Sequence, residues 1–102
     1  MDLKELTKRS HDIRERYHTL ELQYHGSKWS TEEDALAFLT DATLVGRLTM
    51  DHEGRWPSEE GNLSSKIGEC VWWLAIFADE MGLSFEECVT QFIEDKEEED
   101  LR

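Results

Sequence analysis

The stretch Lys66–Gly82, KIGECVWWLAIFADEMG, constrains the fold more than any other part of the chain. At about 100° per residue, Ile67, Cys70, Val71, Trp73, Leu74, Phe77, Ala78 and Met81 fill one broad arc of a helix. Trp72 and Ile76 fall outside that arc, toward the far side. A helix apolar around so much of its circumference is buried on more than one side. One carboxylate, Glu69, stands among these residues, with Trp72, Trp73 and Ile76 on the following turns of its own side. A carboxylate in such surroundings needs a partner.

The rest of the chain reads as helices that supply the surrounding surfaces. Leu3, Leu6, Ile13, Tyr17, Leu20 and Tyr24 follow helical spacing from about Leu3 to Tyr24, with a break at Ser10, and Gly26 offers a left-handed stop. Arg9, Arg14 and Arg16 are expected on a solvated face, paired with Glu5, Asp12 and Glu15. Ser30-Thr31-Glu32-Glu33 is a capping box that starts a second helix running to about Met50. Its apolar arc holds Ala37, Phe38, Leu44, Val45 and Leu48, and Asp41 sits in the middle of it. An aspartate centred on an apolar stripe requires an explanation that an exposed one does not.

Gly54, Pro57 and Gly61 punctuate a polar loop over Asp51–Ser65, in which Trp56 is the one large apolar residue; the third helix begins near Asn62. The cluster Asp51-His52-Glu53 reads as a solvated turn. Gly82 followed by Leu83 fits a Schellman stop, and Ser84-Phe85-Glu86-Glu87 is a second capping box. The fourth helix carries Phe85, Cys88, Val89, Phe92 and Ile93 on one face and folds back on the third. The expectation is one all-α domain over residues 1–102: an N-terminal helix (1–28), a core (29–93) and an acidic, solvated tail (94–102). The excess apolar surface of the third helix suggests a two-fold dimer.

The formal net charge of -13 argues against a nucleic-acid polymer and against anionic membrane surfaces as partners. No uncharged apolar run is long enough to span a bilayer, and MDLKELTKRS lacks the apolar core of a signal peptide. Cys70 and Cys88 fall at apolar helical positions, so reduced, buried thiols and a cytoplasmic location are expected. His11, His18, His25 and His52 show no ligand spacing and are read as surface residues.

Acidic side chains on facing bundle helices are a standard way to hold Mg²⁺, and ligands three residues apart project to one side of a helix. The second helix offers Asp41, with Leu44 three residues on; the third offers Glu69, with Lys66 three residues before. Each half-site therefore has one carboxylate.

Residues 29–93 resemble the MazG-like family of all-α nucleoside triphosphate pyrophosphohydrolases. KIGECVWWLAIFADEMGLSFEECV parallels the family's ELxDVLxYLxxLADELGIDLEEV-type segment, and TDATLVGRL resembles its EExxE helix in position and length. The resemblance implies a four-helix bundle completed by dimerisation, as a homodimer or a dimer of dimers. It also implies Mg²⁺-dependent hydrolysis of (d)NTP to (d)NMP and pyrophosphate. The family's EExxE positions fall on Thr40, Asp41 and Leu44, and its ExxD positions on Lys66 and Glu69.

Two functional expectations follow. In the first, the protein is a pyrophosphohydrolase whose activity is weakened or lost because Leu44 and Lys66 replace acidic ligands. Asp41 and Glu69 would hold Mg²⁺, Lys66 with Arg47 or an arginine of the first helix would stabilise charge on the phosphates, and Trp72 would line the substrate site. In the second, the protein is a non-catalytic nucleotide- or protein-binding module in which Lys66 stands in for the metal and pairs with Asp41 or Glu69.

Overall fold

A computed structural model describes residues 1–59 and 61–99. Four helices follow one another: α1 (Leu3–His25), α2 (Thr31–His52), α3 (Leu63–Glu80) and α4 (Phe85–Glu98), and no strand occurs among the described residues. The architecture is an all-α bundle, as the spacing of apolar residues predicts. None of these helices is long and apolar enough to cross a membrane. Helix α4 takes up much of the expected tail, and positions 100–102 of that tail lie outside the described residues.

Each helix starts where a side chain satisfies an orphan backbone N–H. The Ser30 hydroxyl accepts from the Glu33 amide at 3.2 Å while the Glu33 carboxylate accepts from the Ser30 amide at 3.0 Å, which is the full reciprocal box. Ser84 accepts from the Glu87 amide at 3.2 Å. Asp2 and Asn62 cap α1 and α3 in the same way, accepting from Glu5 and Ser65 at 2.8 and 3.0 Å. Helix α3 stops at Gly82, whose φ of 73° is left-handed. The Leu83 amide donates to the Ala78 carbonyl at 2.8 Å and the Gly82 amide to Asp79 at 3.2 Å, the bond pair of a Schellman motif.

Helix α3 is the axis of the molecule. It packs against α2 along one side and α1 along another, while α4 folds back from Gly82 onto α3 and the start of α1. No Cα of α1 comes within 8 Å of one in α2, so these two helices flank a cleft whose floor is α3. The buried apolar residues are few: Leu48, Trp73, Ala75, Ile76, Ala78 and Phe85. Ala75 and Ala78 are small enough to let Leu3 and Leu6 of α1 and Phe85 of α4 settle on α3. On the α2 side, Phe38 meets Phe77 edge-on at 5.6 Å, and Trp73 stacks over Phe77 at 6.1 Å.

The buried face of α3 follows its apolar arc only in part, through Trp73 and Ala78. Ile76, placed outside the arc, is 2% exposed, whereas Ile67, Leu74 and Met81 within it are 49%, 43% and 60% exposed. A helix apolar nearly all round does not say which side its own chain covers. Here α1 and α2 supply both apolar and polar partners, Leu3, Leu6 and Phe38 as well as the Ser10 carbonyl and Asp41.

Helix α1 differs in a related way. Tyr17, Leu20 and Tyr24 of its apolar stripe are exposed, while Ser10 and Arg14 are buried. The break at Ser10 marks the contact: its carbonyl accepts the Trp72 indole N–H at 3.2 Å, and the small side chain lets the ring approach. Arg9 does pair with Glu5 on the solvated face, but Arg14 does not belong to that face.

The fold leaves a second apolar surface uncovered. Leu74 and Met81 of α3, Leu83 of the turn and Val89 and Phe92 of α4 line an open groove between α3 and α4. Cys88, expected to be buried, is exposed beside them; both thiols are free. The accessible surface is 7686 Å², where a folded monomer of this mass has about 6,000 Å². The radius of gyration is 16.2 Å, against about 13 Å for a compact domain of 100 residues.

Candidate functional site

Asp41 and Glu69 come together on the floor of the cleft, with Lys66 between them. Asp41 projects from the middle of α2 and is 8% exposed. Glu69 and Lys66 lie one turn apart on α3, so both side chains reach the same side. The Lys66 ammonium donates to Asp41 Oδ1 at 3.1 Å and to Glu69 Oε1 at 2.9 Å. The second Asp41 oxygen accepts the Trp73 indole N–H at 2.9 Å. Hydrogen bonds to Glu69 and then Asp41 hold the Lys66 ammonium above the ordinary lysine range, outweighing its partial burial. Burial pushes the neighbouring Cys70 thiol up, and Asp41 and Glu69 add to the effect, so that sulfur is no ready thiolate.

A Mg²⁺ ion asks for oxygen ligands at about 2.0–2.1 Å in an octahedron. The residues as they stand do not fit that ion. An ammonium occupies the space shared by the two carboxylates, and an indole takes the remaining Asp41 oxygen. Thr40 spends its hydroxyl on the Leu36 carbonyl at 3.2 Å. No group of three or more His, Cys, Asp or Glu side chains with metal-holding geometry occurs among the described residues.

Arg47 lies elsewhere. Its guanidinium donates to the Trp56 carbonyl at 2.9 Å and to the Pro57 carbonyl, tying down the loop after α2. It does not line the cleft, which corrects its expected place beside the carboxylates. Trp72 does line the cleft, with its ring edge-on to Tyr17 at 6.0 Å and tilted against Trp73 at 4.6 Å.

A second charged cluster, which the sequence reading missed, forms the neighbouring part of the cleft. Arg14, expected on a solvated face, donates to Asp34 Oδ1 at 2.6 Å and to Glu21 Oε2 at 2.6 Å. Its side chain is 4% exposed and that of Asp34 0%. The guanidinium also lies 5.6 Å from the Trp73 ring centroid. Glu21 further accepts from the Trp29 amide at 2.8 Å and lies 3.0 Å from His18 Nδ1, so His18 is drawn in from the expected surface. Burial alone would raise the Glu21 carboxyl, but Arg14, the Trp29 amide and His18 bring it down to about 2. This network ties α1 to the start of α2 where their backbones do not touch.

Around the two clusters α1, α2 and α3 enclose a space of about 480 Å³. Its walls include Tyr17, Tyr24 and Trp29 as well as Trp72 and Trp73. The arrangement is that of an all-α bundle with an aromatic cleft over paired charges. In comparison with known proteins, no family model, curated protein or solved structure matches the chain.

Proposed function

We propose that the protein is a non-catalytic helical ligand-binding module of MazG-like descent, in which the Lys66 ammonium takes the place of the metal. The observation that carries this reading is the bridge from Lys66 to Asp41 and Glu69 at 3.1 and 2.9 Å. Two acids on facing helices converge on one point, as a bundle metal site requires, and the cation there belongs to the chain. An ammonium supplies charge but no open coordination positions, so it cannot activate a water as a metal does, and two of its three N–H donors are already spent on Asp41 and Glu69. The cleft above it remains, with a volume in the range of small-molecule sites.

The uncovered groove on α3 and α4 supports assembly as a homodimer.

The test combines a catalytic assay with a restoration. Pyrophosphate release from a panel of NTPs and dNTPs with Mg²⁺ or Mn²⁺ is expected to be absent in the native protein; release that Glu69→Gln abolishes would return the chain to the hydrolases. Leu44→Glu combined with Lys66→Glu is expected to create Mg²⁺ binding measurable by calorimetry. A folded double variant that binds none would remove the inherited-site reading.

A further inference from the structure

The electrostatics of the cleft define what it can hold. The Lys66 ammonium is shared by Asp41 and Glu69, and the Arg14 guanidinium by Glu21 and Asp34. Three carboxylates, Asp41, Glu69 and Glu21, line the space with one guanidinium, Arg14, and each cation of the two clusters is already paired with two acids. A polyphosphate entering this space would meet a surplus of negative charge on a chain whose formal net charge is -13. A cation would be drawn in by both.

The walls have the matching chemistry. Trp72 and Trp73 are fixed on the floor by their indole N–H bonds to Ser10 and Asp41, and the Tyr17 ring meets Trp72 edge-on. Trp29 is held at the rim, where its own amide donates to Glu21. Trp29 and Tyr17 are part-exposed at 37% and 51%, so their ring surfaces are open to a ligand rather than consumed by the core. One cation–π contact is already built in, between Arg14 and Trp73. Several aromatic rings beside carboxylates form the kind of surroundings that hold an alkylated ammonium.

We propose that the cleft between α1 and α2 is a binding site for a small organic cation of the quaternary or alkylated ammonium class. This rests on the reading of the protein as a non-catalytic ligand-binding module and names the ligand class for it. The resident cations set the carboxylates in place without cancelling them, and the rings supply affinity for a charge that carries its own apolar surface. Phosphate groups contribute nothing to recognition here.

The experiment is calorimetric titration of the full chain with choline, with its uncharged isostere 3,3-dimethylbutan-1-ol, and with Mg²⁺–ATP. Choline is expected to bind at least about tenfold more tightly than the alcohol, as cation–π attraction to the rings requires, and more weakly as salt is raised. Tyr17→Phe is expected to keep that affinity and Tyr17→Leu to lose it several-fold, with circular dichroism showing both folded. Trp29→Leu, at the rim, should lose it likewise.

Equal affinity for the alcohol, tighter binding of Mg²⁺–ATP, or no heat with choline would each overturn the proposal. Pyrophosphate release distinguishes the two levels. Catalysis would sink the module reading itself, whereas a silent enzyme assay with no choline binding sinks only the ligand class.

Discussion

Arg14 and Asp34 show how much one buried ion pair can decide. Asp34 has no exposure at all, and its charge is tolerated because Arg14 faces it at 2.6 Å. Removing Arg14 leaves Asp34 buried and uncompensated, a loss of about 3–5 kcal/mol, and removing Asp34 leaves the buried Arg14 guanidinium with Glu21 as its remaining acid partner. Asp34→Ala is therefore expected to lower the urea midpoint far more than Asp12→Ala, whose salt bridge to Lys8 is exposed and contributes at most about 1 kcal/mol. Glu21 adds a pH dependence of definite sign. Its folded carboxyl titrates near 2, below the ordinary 4.5, so its contribution is complete above 4.5 and is lost as pH falls from there through 2. Denaturation followed at pH 6, 4 and 2.5 should show that loss, and Glu21→Gln should flatten it.

Glu80 acts in the opposite sense. Burial and the hydrogen bond with Asp34 raise its carboxyl, so its contribution is present at low pH and declines as pH rises through the raised value. Glu80→Gln should leave the protein more stable at alkaline pH.

Among the helices, the ends were the most legible part of the sequence. Ser30 with Glu33, and Gly82 with Leu83, are local signals, and the chain obeys them because each satisfies backbone groups within a few residues. Gly82 has open space around the position a Cβ would take, so Gly82→Ala would test backbone conformation alone. A cost of about 1–2 kcal/mol is expected in thermal denaturation. Asp41 and Glu69 were also legible, since a carboxylate on an apolar face announces a partner, and Lys66 three residues before Glu69 was that partner. What the sequence concealed was long-range. Asp34 sits in the first turn of α2, where an acid is favoured by the helix dipole anyway, so nothing local marks it as buried. Arg14 lies among other charged residues of α1, and its burial follows only from where Trp72 and Trp73 place that helix. Arg47 could not be separated from a site residue because its two carbonyl partners belong to a loop without periodicity.

At the scale of the whole molecule, the split of α3 between two environments governs the rest. One side builds the cleft with α1 and α2; the other, with α4, presents Leu74, Met81 and Phe92 to solvent. In the proposed homodimer, covering that second face would supply stability that so few fully buried apolar residues do not. The melting temperature is expected to rise with protein concentration, and sedimentation should show a dimer. Phe92→Asp together with Leu74→Asp should give a monomer with a lower melting temperature. A native protein that sediments as a monomer throughout the micromolar range would exclude this surface as a self-association interface.

The bridge made by Lys66 has a further consequence. A divalent ion can be stripped by a chelator, diluted away or exchanged for a rival, so a site built around one is only as constant as its supply. An amine on a side chain is a counter-ion that cannot diffuse off. EDTA and dialysis should leave these two acids as they were, and only chemistry on the nitrogen itself, acetylation for instance, would leave them facing each other bare.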